Sequence, residues 1–357
     1  MATSAPRFSF TAGSLSADSD APASAPVRFV VERSLETPID CLRVDLGASG
    51  GAAVGDAVTL DLGIGDGGNA GLERVFTGSV AELRPYLGGC RLFCVGTMLS
   101  LVDLRVASFY QQTSAGDVVR DLLGQAALDA GDISDGVTLP RYAVERRVGA
   151  HAQLRRLAER LGFSLFADRQ GKVHFRGLGA AASLGSGGIG GIGGALAGAA
   201  SSLAGGGTTT LEYGKHLLAA DGALRPALAR TIVVGGESPM SGQGEDKSFW
   251  LTAKDSDYAD SSGSGDDWLI ADTAARTKDM AGRFAAGYAA SFGRRTTAVR
   301  ASVLGNAALE LGDAWGLSGA PEDGLNRSGM VAGLRHRFGA HEGFVTDLVL
   351  AVEESSS

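Results

Sequence analysis

The sequence predicts an α+β fold, mainly β, in which two related β domains are separated by a small α/β insert. Three observations lead to this prediction: one stretch of the chain occurs twice, each copy continues into alternating apolar residues, and the middle of the chain changes to a helical period. The 357 residues suffice for two or three domains with cores of their own. Glycine occurs 54 times, about twice its usual share, which favours many turns.

The repeated stretch lies near both ends of the chain. In the first copy, VGDAVTL (54–60) is followed by GSVAELRPYLG (78–88); in the second, LGDAWGL (311–317) is followed by GMVAGLRHRFG (329–339). The longer pieces align without a gap, and each runs into an alternating stretch, RLFCVGTML or GFVTDLVLAV. This alternation predicts strands with one buried face, and the Gly-Asp pairs predict tight turns. Agreement in order as well as identity favours duplication over chance similarity between two β-meanders.

Charge and composition exclude several classes of protein. The formal net charge of −8 argues against a nucleic-acid-binding surface, which needs a basic stripe. The three cysteines, Cys41, Cys90 and Cys94, lack metal-ligand spacing, so we interpret them as small core hydrophobes without disulfides. Residues 1–26 are mostly Ser, Ala, Pro and Asp and lack the apolar core of a signal peptide. We predict that this segment is mobile and that the chain is synthesised in the cytoplasm.

Two glycine-rich matches in the first β domain fail on context. GIGDGG (63–68) has the spacing of a dinucleotide fingerprint, but the strand-like ERVFTG follows where the fingerprint requires a helix. GASGG (47–51) matches a nucleophile elbow around Ser49, yet it also leads into a strand rather than a helix. We interpret both as turns, and no cofactor is predicted.

The middle of the chain is predicted to contain two helices and a hairpin. The first helix lies in TSAGDVVRDLLGQAALDAG, where Ser114 and Asp117 have capping-box spacing and Gly131 is a candidate end. The second is AHAQLRRLAERLG, which ends at Gly162 and precedes a hairpin formed by FSLFAD and VHFRG. Three arginines on this helix indicate either a basic interaction face or, more commonly, a solvated face paired with neighbouring carboxylates: Arg155, Arg156 and Arg160.

The second β domain is expected to begin near RPALARTIVVGGE. A helix is predicted over roughly 271–292, with Met280, Phe284 and Tyr288 at core spacing. The polar, acidic stretch before it is interpreted as a surface loop. Its aspartates loosely suggest a calcium site, but the EF-hand pattern fails: Asp255, Asp257 and Asp260.

No stretch predicts an enzyme, so no catalytic or metal-binding residue is assigned. The histidines are scattered and form no HExxH pattern: His151, His174, His216, His336 and His341. A hydrolase triad lacks its elbow serine, and a lytic enzyme would need a carboxylate pair that the sequence does not locate. The main alternative is a β-rich surface or secreted binding module. The absence of a signal peptide and the two central helices count against it.

The order of these elements resembles the tail-hub family of contractile phages and injection systems. The resemblance is carried by SAGDVVRDLL, LRRLAERLGF, DRQGKVHF, LELGDAWGL, GMVAGLRHRF and GFVTDLVL. This family includes late-control D proteins and the hub portion of type VI spike proteins. It implies two tail-tube-like β-barrel or sandwich domains, 27–106 and 211–353, separated by the elements of 107–177 and followed by a short tail, 354–357.

The resemblance also implies partners. Family members form a trimeric ring with pseudo-sixfold symmetry, which joins a hexameric inner tube to a trimeric spike. The chain stops at Ser357 without the OB-fold and needle of fused spike proteins, so we expect a separate spike protein, the inner tube protein and other baseplate proteins as partners. The expected location is an assembled tail-like particle, phage or injection system. Neither catalysis nor stable membrane insertion is expected.

An uncharged Gly/Ala-rich insert separates the middle elements from the second β domain at residues 178–210. A flexible linker is the favoured interpretation. A membrane span is disfavoured, because glycine contributes little hydrophobicity and weakens helices. The remaining interpretation is a loop that contacts the ring lumen or the spike through Ile189, Ile192 and Leu196.

Overall fold

The computed structural model describes residues 5–20, 26–48, 50–65, 71–178, 209–223, 230–236, 259–293 and 297–352. The α+β, mainly β prediction is confirmed: most of these residues lie in strands, and a large curled antiparallel sheet dominates the fold. Within the described residues this sheet has 13 strands, and three smaller sheets and four α-helices accompany it. No helix in these ranges is long and apolar enough to cross a membrane.

The first half-sheet consists of the seven N-terminal strands. They pair in the order β3-β4-β7-β6-β5-β1-β2. Alternate side chains point to one face, where Phe10, Phe29 and Leu60 are fully buried in a common core. The strands are β1 (Ala5–Ala12), β2 (Leu15–Asp18), β3 (Pro26–Ser34), β4 (Cys41–Leu46), β5 (Ala57–Gly65), β6 (Leu72–Tyr86) and β7 (Gly89–Gly96).

The middle unit contains the helices and the three small sheets, β10-β8, β11-β12-β9 and β16-β15-β17. Its core includes Leu122, Leu157 and Phe284. The elements are α1 (Leu99–Asp103), β8 (Ser108–Ser114), α2 (Ala115–Gln125), β9 (Ala130–Ile133), β10 (Thr138–Val144), α3 (Ala150–Leu161), β11 (Phe163–Ala167), β12 (Val173–Gly177), β15 (Arg230–Gly235), β16 (Ala259–Gly263), β17 (Asp266–Ala271) and α4 (Lys278–Gly293).

The second half-sheet completes the large sheet. Its strands pair in the order β14-β18-β21-β20-β19-β13, and a short 3-10 helix (Asp323–Leu325) lies between β19 and β20. Val299, Val331 and Leu350 are fully buried in its core. The strands are β13 (Thr209–Glu212), β14 (Leu217–Ala223), β18 (Thr297–Leu304), β19 (Ala314–Ser318), β20 (Ser328–Gly339) and β21 (Gly343–Val352).

The two half-sheets repeat one strand path. The order β3-β4-β7-β6-β5 in the first corresponds to β14-β18-β21-β20-β19 in the second. Registers agree as well: Leu83 lies opposite Leu92, and the equivalent Leu334 lies opposite Leu348. The paths diverge at the outermost strand, since β1 runs antiparallel to β5 whereas β13 runs parallel to β19. This agreement supports the duplication that the sequence predicts.

Irregularities of the two half-sheets also coincide. The β6–β7 register shifts at Ala81, and the β20–β21 register shifts at the equivalent Ala332. A second shift occurs at Val27 between β3 and β4, and its counterpart at Leu218 between β14 and β18. Bulges at matching positions bend both half-sheets in the same places.

The Gly-Asp turns of the repeat form the same pair of backbone hydrogen bonds in each copy. Gly55 donates its N–H to the Val80 carbonyl over 2.8 Å, and Val80 donates to the Asp56 carbonyl over 2.9 Å. In the second copy, Gly312 donates to Val331, and Val331 donates to Asp313, both over 2.9 Å. Gly55 and Gly312 have φ values of 92° and 85°, a conformation that favours glycine.

The half-sheets meet edge to edge within the chain. β20 pairs antiparallel with β3, from Gly333 opposite Ser34 to Gly339 opposite Arg28. Behind this joint, Phe338 contacts Phe29 and Phe8 with ring centroids 6.0 and 5.4 Å apart. The joint makes one continuous sheet from the two copies.

The N-terminal segment differs from the mobile stretch predicted for residues 1–26. Ala5–Ala12 and Leu15–Asp18 form strands, and Phe8 and Phe10 are buried in the core of the first half-sheet. The Ser/Ala-rich composition obscured the alternating apolar residues of β1. This strand forms because β5 pairs with it along its whole length. Burial of the aromatic side chains offsets the conformational entropy that such a composition otherwise retains.

Two helix boundaries also differ from their predictions. Ser114 caps α2 by accepting the Asp117 N–H at 3.0 Å, as its spacing indicates, but the helix ends at Gln125, and Gly131 lies in β9. The end comes early because Ala127 adopts a positive φ of 54°. α4 starts at Lys278 rather than near 271, since β17 extends to Ala271. α3 ends at the left-handed Gly162 as predicted.

Residues 230–236 and 259–293 pack differently from the sequence-based interpretation. β15, β16, β17 and α4 form their own layer in the middle unit, whereas they were expected to belong to the second β domain. Gly287 of α4 approaches Gly162 of α3 so closely that a side chain there would clash with backbone. The apolar face of α4 thus covers α3 and not the second half-sheet. Met280 and Phe284 are core residues as predicted.

The cysteines and glycine motifs have these outcomes. Cys90 and Cys94 are buried and free as predicted. The free Cys41 is exposed, because it is the first residue of β4 and lies on the polar face of the sheet. After β5, which contains the first glycines of 63–68, the next described element is strand β6. Residues 50–51 form a turn before β5. Within the described residues, a strand and not a helix is the next element after each motif.

Candidate functional site: a polar groove across the two half-sheets

One face of the large sheet carries an open groove of about 730 Å³. Strands β3 and β4 of the first half-sheet and β14, β18, β20 and β21 of the second line it. The groove therefore crosses the joint between the two copies. Its position follows from strand alternation: one set of side chains enters the cores, and the other set faces the groove.

Charged side chains of opposite sign pair across neighbouring strands of this groove. Glu32 lies 3.1 Å from Arg335 across the β3–β20 joint, and Arg337 lies 2.9 Å from Asp347. Asp221 and Arg300 are 4.0 Å apart at the far edge. Because these groups are partly or largely exposed, the pairs contribute little stability and leave a wet, mixed-charge surface. Such a surface suits contact with a polar partner or passage of a hydrated molecule.

Cys41 is a thiol at the groove wall. Partial burial, together with the carboxylates of Asp40 and Glu32, raises the pKa of its thiol above the ordinary value. The thiol is therefore protonated at neutral pH and is a poor nucleophile.

A buried ion-pair centre lies beneath the groove. Arg33, at 2% exposure, donates from Nη2 to Glu310 Oε1 at 2.7 Å and to the Ala167 carbonyl at 2.9 Å. Its Nε lies 3.1 Å from Asp40 Oδ2. Burial raises the pKa of Asp40 to about 6, although the Arg33 charge opposes this shift. Arg33 thus ties the first half-sheet, the second half-sheet and the middle unit together.

The hairpin turn between β11 and β12 docks at the same place. Arg169 forms an ion pair with Glu73 of β6 and donates to the Ala307 carbonyl at 3.1 Å. Thr77 donates its hydroxyl to the Arg169 carbonyl at 2.9 Å, and Thr97 donates to the Gly171 carbonyl at 2.8 Å. These contacts fix the middle unit against both half-sheets. The turn therefore contacts both copies of the repeat.

Most of this site was missed by sequence reasoning. The charges that line the groove occupy alternate positions of strands, as in RHR (335–337) of β20, and this alternation was the available signal. The Arg33 centre offers no local signal, because Asp40, Ala167 and Glu310 are distant in sequence from it or lie in loops.

Several residues that the sequence singled out lie outside the described part of the chain. Ile189, Ile192 and Leu196 lie outside the described residues, as do Asp255 and Asp257. The flanks of the insert, Leu178 and β13, are described, and Leu178 is buried in the core of the second half-sheet. Within the described residues, no three metal-ligating side chains come together.

Two of the three helix arginines form structural ion pairs. Arg155 lies 2.8 Å from Glu36, which follows β3. Arg160 lies 2.6 Å from the buried Asp272, which also accepts a hydrogen bond from Tyr288 Oη at 3.0 Å. These contacts favour the structural interpretation over a basic interaction face for Arg155 and Arg160.

Comparison with known proteins identifies the fold. No protein-family model and no curated protein matches the sequence. A 43 kDa tail protein of prophage MuSo2 from Shewanella oneidensis matches with a TM-score of 0.65 at 14% identity, over 96% of this chain and 98% of that one. A tail protein from Neisseria meningitidis MC58 matches with a TM-score of 0.65 at 13% identity, over 97% and 96% of the two chains.

A third match extends beyond phage tails. The E. coli c3393 protein, a component of the type VI secretion system with structural similarity to the T4 bacteriophage tail proteins gp27 and gp5, matches with a TM-score of 0.54 at 11% identity. The match covers 97% of this chain and 77% of that chain. At such identities the likeness is one of fold, and it extends over almost the whole of this chain.

Proposed function

We propose that this protein is the structural baseplate hub of a contractile tail-like particle. In this role three copies form a ring with pseudo-sixfold symmetry, which joins a hexameric inner tube to a trimeric spike. The function is assembly and adaptation of symmetry, and it requires no catalysis. The fold shared with two tail proteins and a secretion-system component supports this proposal.

The observation that carries the proposal is the edge-to-edge joint between two equivalent half-sheets in one chain. Three such chains present six similar modules around one axis. One side of that ring can match a sixfold partner while the other matches a threefold partner, because the modules are similar but not identical. A closed ring of single-module chains would match only its own symmetry.

The proposed domain division follows the repeat. The tube-like domains contain the strands of the first half-sheet within 27–106 and those of the second within 211–353, and the middle unit separates them. The inner tube protein, a separate spike protein and other baseplate proteins are the proposed partners, and the assembled particle is the proposed location. The mixed-charge groove is the proposed inner surface of the ring.

The test is the molar mass of the purified protein by light scattering, alone and mixed with a candidate spike protein. We expect a trimer, or a monomer that becomes a three-to-three complex with the spike. A protein that stays monomeric in both experiments overturns the hub and favours a stand-alone binding module.

A further inference from the structure

We propose that strand β14 of one copy pairs antiparallel with the end of β6, residues 82–86, and its turn in a second copy of this chain. This surface rests on the proposed ring and specifies how its chains join. The partner is a second copy, and the contact repeats the β3–β20 joint found inside each chain.

Strands β3 and β14 are equivalent in the two half-sheets. β3 occupies in the first half-sheet the place that β14 occupies in the second, since each begins the strand path and each has a bulge at the matching position. Likewise, residues 333–339 of β20 correspond to residues 82–88. The internal joint pairs 333–339 with β3. The corresponding joint therefore pairs residues 82–88 with β14.

Both edges required for this joint are open within the described part of the chain. Residues 82–86 pair only with β7 there, because the β5 partner of β6 ends opposite Ser79. β14 pairs only with β18, apart from an isolated bridge between Tyr213 and Leu217. Open strand edges are templates for pairing with another chain.

Exposed apolar side chains mark the same two edges. Tyr86 is 50% exposed and the adjacent Leu87 is fully exposed, while Leu218 on β14 is 56% exposed. At the internal joint, the residue equivalent to Leu87 is Phe338, which packs on Phe29. A copy placed by the same relationship covers Leu87 in the same way. Uncovered apolar groups thus occur where the repeat predicts a neighbour.

The internal register transfers to the new joint. Arg337 opposite Val30 becomes Tyr86 opposite Asp221, and Arg335 opposite Glu32 becomes Arg84 opposite Ala223. This register places Arg84 diagonally across from Asp221, within reach of a long side chain. Pro85 has no N–H, so this joint forms fewer backbone hydrogen bonds than the internal one. A weaker joint between chains than within them is the expected consequence.

The contact is heterologous, because β14 and the end of β6 are different surfaces. Such contacts close into a ring when the repeated rotation returns to its start. Each chain offers one of each edge, so a closed trimer leaves neither edge open. This agrees with a chain in which each half-sheet carries one of the two open edges, β14 in the second half-sheet and residues 82–86 of β6 in the first.

The test is disulfide formation in a Tyr86→Cys, Asp221→Cys double variant, prepared in a Cys41→Ser background. Residues directly opposite each other in adjacent strands have Cβ atoms about 4.5–5.5 Å apart, near the span of a disulfide. We expect oxidation to shift the 36.3 kDa chain to two and three times its mass on non-reducing gels. Each single variant and a Tyr86→Cys, Ala220→Cys pair, which is one residue out of register, should give no such ladder.

A matched control uses the internal joint. A Val30→Cys, Arg337→Cys variant has the equivalent pair within one chain and should oxidise without any change in mass, which shows that the fold and the chemistry are intact. A trimer by light scattering that forms no ladder at 86 and 221, while this control oxidises, overturns the strand pairing and leaves the ring. A protein that is monomeric at all concentrations, with and without the spike, overturns the ring and the pairing together.

Discussion

Arg33 and Glu310 form an ion pair of 2.7 Å that connects the two copies of the repeat. Arg33 lies near the end of β3, and Glu310 immediately precedes the Gly-Asp turn of the second copy. Both side chains are shielded from solvent, and Asp40 and the Ala167 carbonyl complete the coordination of the guanidinium. The joint between the half-sheets is therefore held by backbone pairing on its surface and by buried charge beneath it.

Replacing Arg33 by methionine should destabilise the fold strongly. The substitution leaves the Asp40 carboxylate buried without its cation, while Glu310 keeps Arg169 at 3.8 Å. Loss of one partner of a buried pair typically costs about 3–5 kcal/mol. Arg335→Met removes an exposed pair across the same joint and should cost at most about 1 kcal/mol. Urea unfolding measures both. Equal effects of the two substitutions would show that Arg33 is not the buried centre described here.

The two Gly-Asp turns give a matched pair of substitutions. Gly55→Ala meets nothing within 4 Å, so its cost, about 1–2 kcal/mol, comes from the positive φ alone. Gly312→Ala should cost more, because the added Cβ would lie 2.9 Å from Leu178, a buried core residue. Thermal unfolding of the two variants tests this order. A larger loss of stability in Gly55→Ala than in Gly312→Ala would contradict this prediction, in which the two turns share a backbone conformation and differ only in packing.

Stability should fall as the solution is acidified below about pH 6.5. Burial, with the charges of Arg33 and Arg169, lowers the pKa of His336 to about 3, and burial with Arg155 lowers that of His151 to about 4. Neutral histidine therefore stabilises the fold above its unfolded pKa of about 6.5, and this contribution is lost as the pH falls toward the folded values. Each histidine contributes a slope of up to about 1.4 kcal/mol per pH unit.

Asp40 acts in the opposite direction over part of this range. Its raised pKa of about 6 favours the protonated fold, so its contribution is lost as the pH rises through 6. His336→Asn should flatten the acid slope, since asparagine keeps a polar atom near the Thr346 hydroxyl, 2.9 Å from His336 Nδ1. Chemical denaturation at several pH values measures this slope. An unchanged slope in His336→Asn would contradict the assignment of the acid destabilisation to His336.

The N-terminal strand should be essential to the fold. Phe10 is fully buried against Phe29, with ring centroids 5.4 Å apart, so Phe10→Ala should cost about 3–5 kcal/mol. Ser16→Ala, on the exposed side of β2, should be nearly neutral. Chemical denaturation compares them. A neutral Phe10→Ala would restore the interpretation of this segment as mobile.

Local patterns predicted much of the fold. The duplicated strands, the Ser114 cap of α2, the Gly162 end of α3 and the hairpin after it follow from alternation, capping chemistry and glycine conformation. Each of these features depends on residues that lie within a few positions of each other. It can therefore be predicted from a single sequence.

Other features depended on distant partners. β1 is a strand because β5 pairs with it, and α4 belongs to the middle unit because Gly287 fits closely against Gly162 and Asp272 receives Arg160. Nothing near these residues in sequence encodes those neighbours. Composition therefore predicted a mobile segment where β1 forms, and order along the chain assigned α4 to the second β domain rather than to the middle unit.

The sequence by itself determined that two related β modules flank a helical insert, since period and repetition are properties of the chain. Only the tertiary structure decided how the modules meet: β3 against β20, with Arg33 buried between Asp40 and Glu310 and a charged groove on the open face. The physical reason is that strand alternation fixes which side chains share a face, whereas pairing partners and the desolvation of charge depend on the segments that fold against them.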